Sequence, residues 1–304
     1  MAEQSVGGVA AVLGHGVSEV TEVWQEGFRV KKRFAFPLNI QLPFMEATTR
    51  NQDFADVLKL LQAEGFSGVE LNLDCFDDPD GVRGLLAQYD LRLSMAASGA
   101  YAVRHGLSLS AADESVREAA VAAVRKMLSF AAAVNDADGS LAGGKTGVIC
   151  GFMKGAAKQD ADIAAAQMRK SLDALEGAAA PLYLEATNHY EATLVNTLAE
   201  GAAMVGERSN IHVLPDTYHM NIGERDTAAA LARYAGMYRN VHLSDNNRYF
   251  PGFGAIDFRA VYALLHGLGY DGVTAVEGRT YRSLREDIVE TAAYLESCSR
   301  GLVR

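Results

Sequence analysis

The sequence predicts an α/β protein built as a (β/α)8 TIM barrel. Short apolar runs alternate with amphipathic segments of helical periodicity from residue 33 to the C-terminus, and the composition does not shift between these units. Several apolar runs also end in an acid or a histidine, where a barrel carries its active site. A chain of 304 residues with 49% hydrophobic side chains can bury one large core. We predict one barrel domain over residues 31–304, preceded by an N-terminal extension over residues 1–30.

Each predicted strand is a short apolar run bounded by polar residues, glycine or proline. In chain order, the predicted strands are residues 33–39, 68–73, 91–96, 146–150, 182–187, 211–215, 240–243 and 273–277.

The predicted helices have apolar residues at a spacing of three and four, as Phe54, Val57, Leu58 and Leu61 illustrate. These helices cover residues 51–63, 80–89, 111–134, 161–175, 192–205, 226–234, 257–266 and 283–295, and a long loop is expected over residues 97–110. In the extension, residues 18–24 are too polar for a core strand and favour a short helix.

Composition argues against several classes of partner. The net charge is −10, with 28 basic against 38 acidic residues, which is unfavourable for binding nucleic acid. No apolar run is long enough for a membrane helix, and the N-terminus lacks the basic start of a secretory signal. Three widely spaced cysteines fit reduced thiols. We therefore expect a cytoplasmic protein without a nucleic-acid or membrane partner, and a neutral or cationic ligand.

A phosphate-loop pattern, GxxxxGKT, occurs at residues 139–146. A phosphate loop needs a strand before it and a helix N-terminus after it, because the amides at the helix N-terminus hold the phosphates. Here a predicted helix precedes the pattern and a predicted strand follows it. We therefore interpret the segment as a glycine-rich turn at the bottom of the barrel.

The last four predicted strands each deliver a metal-ligating type of residue: Glu185, Asp216, His242 and Glu277. The steps between them are 31, 26 and 35 residues (216 − 185, 242 − 216 and 277 − 242), close to the length of one strand–helix unit. Three carboxylates and one imidazole at neighbouring strand ends predict a mononuclear site for a divalent cation. An oxygen-rich set suits Mn²⁺, Mg²⁺ or Co²⁺ better than a thiolate zinc site does.

Four segments of the chain carry a resemblance to a known family: LEATNHYE, DTYHMNIGE, HLSDNNRYFPGFGAIDF and GYDGVTAVEG. They resemble the ketose 3-epimerases of the D-tagatose and D-allulose epimerase type, within the sugar isomerase/epimerase superfamily with a xylose-isomerase-like TIM barrel. The resemblance is closest over residues 180–280 and does not cover the first thirty residues.

The resemblance implies a divalent metal, Mn²⁺ first among the candidates, held by Glu185, Asp216, His242 and Glu277. It also implies that Glu185 and Glu277 are the two acid/base carboxylates of C3 epimerisation, and that His219, Arg248 and Glu191 contact a small-molecule sugar. A homodimer or homotetramer is the assembly that it implies. Glu191 has an alternative role as an acid in the first turn of a helix, favoured by the helix dipole.

Two departures from the family put the substrate in question. Gly223 stands where the family has an acid, and the loop after His242 carries Tyr249, Phe250, Pro251 and Phe253 where the family has shorter polar residues.

Other functions on the same barrel remain open. A lyase, either an inosose-type dehydratase or the metal subunit of a C-glycoside deglycosidase, begins with the same deprotonation. A DNA-repair enzyme of the AP-endonuclease type needs additional histidine ligands, which are missing where the second and third strands end in Asn72-Leu73 and Ala96-Ala97. A sugar-binding protein without turnover would not need two such carboxylates.

Overall fold

A computed structural model describes residues 22–25, 28–31, 33–42, 52–135 and 145–303. The first described elements are two strands that pair antiparallel, β1 (Glu22–Gln25) and β2 (Phe28–Lys31). The short helix predicted over residues 18–24 is therefore wrong from residue 22 onward, and residues 18–21 lie outside the described residues. A run of alternating polar and apolar residues there satisfies strand pairing better than a lone helical turn.

Eight parallel strands form the barrel, as predicted. They are β3 (Leu38–Gln41), β4 (Gly68–Asn72), β5 (Arg92–Ala97), β6 (Gly147–Cys150), β7 (Leu182–Glu185), β8 (Ile211–Leu214), β9 (Asn240–Leu243) and β10 (Val273–Val276). Their order in the sheet is β8-β7-β6-β5-β4-β3-β10-β9. An isolated parallel bridge between Asp216 and His242 brings the two outer strands together, and the His242 N–H donates to the Pro215 carbonyl at 2.9 Å.

The helices are α1 (Gln52–Ala63), α2 (Pro79–Ala87), α3 (Gly99–His105), α4 (Glu114–Asn135), α5 (Ala161–Leu175), α6 (Leu198–Val205), α7 (Thr217–Gly223), α8 (Thr227–Arg233), α9 (Phe258–Gly267) and α10 (Leu284–Ser299). Their apolar faces form the main core against the outside of the strands. A smaller apolar cluster, with Met95, Ile149 and Tyr183 among its members, is separate from this core. No helix in the described part of the chain is long and apolar enough to cross a membrane.

Several elements differ from the predictions, and three of them illustrate the reasons. The first barrel strand begins at Leu38 and not at residue 33, because residues 34–36 form a bend before it. The predicted loop over residues 97–110 contains α3. Gly106 caps the C-terminus of this helix, with a φ of 63° in the left-handed region. The helix predicted over residues 192–205 begins only at Leu198, where the Thr197 hydroxyl accepts the Glu200 N–H and caps it.

The phosphate-loop interpretation can be tested only at the end of the motif. Strand β6 follows Thr146 directly, and the Thr146 hydroxyl donates to the Leu93 carbonyl. A strand in place of a helix leaves no helix N-terminus for a phosphate, as expected. Residues 136–144 lie outside the described residues.

Candidate metal centre

The four predicted metal-ligating residues lie at or just beyond the carboxyl ends of four consecutive barrel strands. Glu185 ends β7, His242 lies in β9, and Glu277 directly follows β10. Asp216 lies two residues beyond β8 and caps α7, where its Oδ1 accepts the Tyr218 N–H at 2.8 Å. One possible ligand atom from each of the four residues lies within 4.8 Å of the others. The barrel thus brings together the set that the sequence predicts.

The donor set fits a divalent cation. Three carboxylates and an imidazole provide hard oxygen and borderline nitrogen donors, and all four side chains are buried or nearly so. The buried Glu185 Oε1 atom has no hydrogen-bond partner among the described residues. Such an oxygen is costly to leave without a partner, and a cation would provide one. The cluster could therefore hold a metal ion.

Arg248 brings a positive charge to the edge of this cluster. Its Nη1 donates to Asp216 Oδ2 at 2.5 Å and its Nη2 donates to Glu277 Oε1 at 2.8 Å. Its guanidinium also lies 4.8 Å from the centre of the Tyr218 ring. The backbone of Arg248 is in the left-handed region, with a φ of 65°, which residues other than glycine rarely adopt.

The electrostatic surroundings shift the pKa values of the cluster in different directions. Burial raises the pKa of Glu185, with a further increase from Glu277, and burial also raises the pKa of Asp216. Burial opposes the ionised form of Glu277 too, but Arg248 and His242 hold its pKa well below the ordinary value. The two predicted acid/base carboxylates therefore sit in unequal environments.

His219 lies at the same cavity, and its tautomer is set by Asn188. The His219 Nδ1 atom accepts from the Asn188 N–H at 3.2 Å and lies 2.8 Å from Asn188 Nδ2. Both contacts favour the imidazole with its proton on Nε2, and this atom lies 3.6 Å from Glu185 Oε1. The side chain is 1% exposed.

Glu191 is connected to His219 through the same asparagine. Asn188 Nδ2 donates to Glu191 Oε1 at 3.0 Å. Because the next helix begins only at Leu198, Glu191 lies in a turn and not in a helical first turn. The alternative role of Glu191 as a helix N-terminal acid is therefore wrong.

These residues surround a cavity of about 170 Å³ at the C-terminal face of the barrel. The side containing the cluster contributes Glu185, His219, Arg248 and Glu277, and Glu191 also lines it. The rest of the lining includes the neutral residues Gln41, Asn72, Ala97 and Ile149 from the earlier strands. A small polar molecule would thus meet both charged and uncharged groups.

Gly151 makes room for the cluster. A Cβ atom at this position would lie 2.5 Å from Glu185 Oε2, closer than a Cβ atom approaches its neighbours in real proteins. The residue follows β6 and lines the same cavity. Sequence reasoning did not single it out.

The two departures from the resembled family have local structural reasons. A Cβ atom at Gly223 would lie 2.5 Å from the Asn196 carbonyl oxygen, so a side chain needs a different backbone there. In the loop after β9, Phe250 is buried, whereas Tyr249 and Phe253 both pack on Tyr281, with ring centroids 5.3 and 5.6 Å apart.

Sequence reasoning also missed Glu70 and Asn188. Glu70 is fully buried in the middle of β4, and its Oε2 lies 2.9 Å from His242 Nε2. An acid inside an otherwise apolar strand was the available signal for Glu70. No sequence pattern marked Asn188, because its role comes from a contact with His219, which lies 31 residues away in sequence.

A parallel barrel with acids and a histidine at the ends of consecutive strands defines a class of TIM barrels whose site lies on the C-terminal face. Within that class, this chain belongs to the xylose isomerase-like TIM barrel family, whose model matches residues 51–298.

Several known proteins are similar to this chain. The 3-dehydro-D-guloside 4-epimerase of Escherichia coli (strain K12) is 38% identical over 100 residues, which are 32% of this chain and 38% of the relative. The ketose 3-epimerase of Arthrobacter globiformis is 28% identical over 225 residues, which are 70% of this chain and 73% of the relative. The first relative is thus matched over less than half of its length. The resemblance to ketose 3-epimerases that the sequence predicts is confirmed.

Among solved structures, the 3-keto-D-glucoside 4-epimerase from E. coli superposes with a TM-score of 0.71 at 23% identity. The superposition covers 86% of this chain and 100% of that one, and it shows the shared barrel fold.

Proposed function

We propose that this chain is a divalent-metal-dependent sugar epimerase that inverts C3 of a free ketose. The observation that carries the proposal is the placement of Glu185 and Glu277 on one cavity, within the same four-residue cluster. The similarity to a ketose 3-epimerase over 70% of the chain supports it.

Inversion next to a ketone needs two proton transfers. One group removes the proton from C3 on one face of the sugar, and a second group returns a proton on the other face, with a cis-enediolate between the two steps. Glu185 and Glu277 are the two groups in this proposal, and they exchange their roles when the reaction runs backwards. A single carboxylate would return the proton to the face from which it was taken.

The metal would be held by Glu185, Asp216, His242 and Glu277. Mn²⁺ is the proposed ion, although Mg²⁺ and Co²⁺ suit the same donors. When bound, it supplies positive charge that stabilises the negative enediolate oxygens.

Three further side chains would position the sugar. His219 presents its Nε2–H to the cavity because Asn188 occupies its Nδ1. Arg248 provides a guanidinium beside Asp216 and Glu277, and Glu191 provides an acceptor for hydroxyl groups. These contacts orient the carbonyl and its neighbouring carbon for proton transfer.

The charge of the cavity favours an uncharged sugar over a sugar phosphate. Among the described residues lining it, three are carboxylates and Arg248 is the one permanent cation. That cation is already paired with two carboxylates. The charge of Arg248 is therefore already compensated, which leaves less of it for a phosphate group.

A second candidate substrate is a 3-keto glycoside, epimerised at C4. The similarity to the 3-dehydro-D-guloside 4-epimerase favours it. Proton removal next to a ketone is the same chemistry, so the two candidates differ in the reacting carbon and in the group attached to C1.

Isotope labelling tests these assignments. The Mn²⁺-loaded protein is incubated in D₂O with free ketoses, ketose phosphates and 3-keto glycosides, and the products are read by NMR. We expect one solvent deuterium at C3 of a product ketose, without loss of water or of an aglycone. Deuterium at C4 of a keto glycoside would move the assignment to the second candidate. A dehydrated or deglycosylated product would instead favour a lyase, and an unlabelled epimer would exclude the enediolate route.

The proposal includes a homodimer or homotetramer in the cytoplasm. Light scattering on the purified protein measures the assembly directly, and a monomer at working concentration would contradict this part of the proposal.

A further inference from the structure

A buried glutamate contacts the one histidine of the metal-ligating set from behind. Glu70 is fully buried in β4, while His242 lies in β9, and β3 and β10 lie between these strands in the sheet. The Glu70 Oε2 atom nevertheless lies 2.9 Å from His242 Nε2, so the contact crosses the interior of the barrel. The pair meets the distance of a hydrogen bond but not its angle.

The other oxygen of Glu70 is held by a second residue. Asn240 Nδ2 donates to Glu70 Oε1 at 2.6 Å. Asn240 is two residues before His242 in the same strand, so both side chains point into the barrel. Glu70 thus accepts from Asn240 and faces His242, both on β9, and the bond from Asn240 fixes the orientation of its carboxylate. A buried carboxylate is costly without such partners.

The two nitrogens of His242 face different carboxylates. Nδ1 lies 2.7 Å from Glu277 Oε2, within the four-residue cluster, and Nε2 faces Glu70. A neutral imidazole carries one proton, and the nitrogen that binds a metal must be the one without it. In this structure both nitrogens face carboxylate acceptors, and Nδ1 is hydrogen-bonded to Glu277. A divalent ion held by the cluster would need the lone pair of Nδ1, so the one proton of the neutral ring would then lie on Nε2, where Glu70 is the acceptor.

We infer that Glu70 is a positioning residue, which keeps the proton of His242 on Nε2 and holds the ring with Nδ1 toward the metal. This inference rests on the proposed metal centre, and it assigns to Glu70 a role without contact to sugar or metal.

Glutamine at position 70 is a sharp test, because it keeps the size of the side chain but not its two acceptors. Asn240 Nδ2 and His242 Nε2–H are both donors, and a glutamine amide offers one acceptor and one donor. It either loses Asn240 or presents its NH₂ group to His242. In the second case the proton moves to Nδ1, where it opposes metal binding.

Binding of Mn²⁺ alone is measured by titration calorimetry for the parent, Glu70→Gln and Ser94→Ala. Ser94 is the matched control, because it accepts a buried hydrogen bond from Asn39 at 2.8 Å without touching His242. We expect Glu70→Gln to weaken Mn²⁺ affinity by about 10- to 100-fold and to change the visible spectrum of the Co²⁺ form. Ser94→Ala should lower the melting temperature and leave the affinity and the spectrum unchanged.

Two further variants guard against a folding defect. Glu70→Asp keeps two acceptors at a shorter reach and should retain more affinity than Glu70→Gln. Adding Asn240→Asp to Glu70→Gln supplies a new acceptor for the glutamine NH₂ and should recover part of the affinity. Recovery of this kind is not expected if Glu70 only supports the fold.

The outcomes separate this inference from the function on which it rests. A parent protein that binds no Mn²⁺ would contradict the proposed metal centre itself. A parent that binds Mn²⁺ together with a Glu70→Gln variant of equal affinity and spectrum would overturn the role of Glu70. An equal loss in Ser94→Ala would also overturn it, because the effect would then be a general loosening of the interior.

Discussion

The guanidinium of Arg248 donates to the carboxylate of Glu277, with 2.8 Å between Nη2 and Oε1, although the two residues come from different loops. The same guanidinium reaches Asp216 through Nη1. Arg248 thus donates to two of the four residues of the cluster and also lines the cavity. In the proposed function, this arrangement places the guanidinium beside the sugar and next to the carboxylate of Glu277.

Replacing Arg248 by Ala should reduce kcat/KM while the bound metal is kept. Loss of a charged contact to the sugar costs about 1.5 to 3 kcal/mol in the transition state, or roughly 10- to 160-fold in rate. Metal content should not fall, because the variant removes a positive charge that is paired with Asp216 and Glu277 and leaves both carboxylates available to a metal ion. Steady-state kinetics and elemental analysis measure the two effects. Arg248→Lys, which keeps the charge but not the fork, should be intermediate; loss of metal from Arg248→Ala would contradict the assignment.

One divalent metal should bind per chain and stabilise the fold. Binding to the folded state alone adds about 2.7 kcal/mol when the free metal is a hundredfold above its dissociation constant. Asp216→Ala should abolish this gain, whereas Glu191→Gln should keep it, because Glu191 lies outside the cluster. Elemental analysis and thermal unfolding with and without a chelator provide the measurement. A count of zero or of three ions per chain would be incompatible with the mononuclear centre.

Both predicted acid/base carboxylates should be essential in both directions of the reaction. Glutamine at position 185 or 277 keeps an oxygen but cannot take up a proton. Each variant should lose about 100- to 10,000-fold in net epimerisation, starting from either epimer. Progress curves from both epimers, at saturating metal, give the result. An enzyme cannot change the equilibrium constant between the two epimers, so a variant cannot lose activity in one direction alone. Full activity in either variant would show that the replaced residue takes no part in the chemistry.

Metal affinity should increase with pH. Burial raises the pKa of Glu185 and Asp216. Burial lowers the pKa of His242, but the carboxylates of Glu70 and Glu277 outweigh this effect and raise its pKa well above the usual histidine value. A metal must displace these protons, and a raised pKa keeps them bound to higher pH. The Mn²⁺ affinity should therefore fall as the solution is acidified and still rise above the ordinary histidine pKa. Calorimetry across that range tests the sign, and a flat profile would speak against these ligands.

Alanine at Gly151 should disturb the cluster without unfolding the barrel. Its Cβ would lie 2.5 Å from Glu185 Oε2, so Glu185 must move. We expect weaker metal binding and lower turnover. Gly84→Ala is the matched control, because this position in α2 has open space around a Cβ and should gain about 0.5 to 1 kcal/mol of stability. Parent-like metal affinity in Gly151→Ala would show that Glu185 tolerates the displacement.

The sequence alone determined the barrel and the four-residue cluster, because both follow from local patterns. Alternation of strand and helix periodicity predicts the parallel sheet, and the end of a strand is a local feature. Glu185, Asp216, His242 and Glu277 could therefore be placed on one rim of the barrel before any distance was known. Strand and helix starts were less accurate, as Leu38 and Leu198 show, since capping and bends depend on neighbouring elements.

Only the tertiary structure determined which side chains contact the cluster. Glu70 meets His242 across the barrel, 172 residues apart (242 − 70) and from a strand that is not its neighbour in the sheet. Arg248 contacts Asp216 and Glu277 and has a left-handed backbone conformation, which the hydrophobic periodicity of the sequence does not predict. Closure of the barrel makes these contacts, because it brings side chains from distant strands into one interior, and sequence spacing carries no record of that geometry.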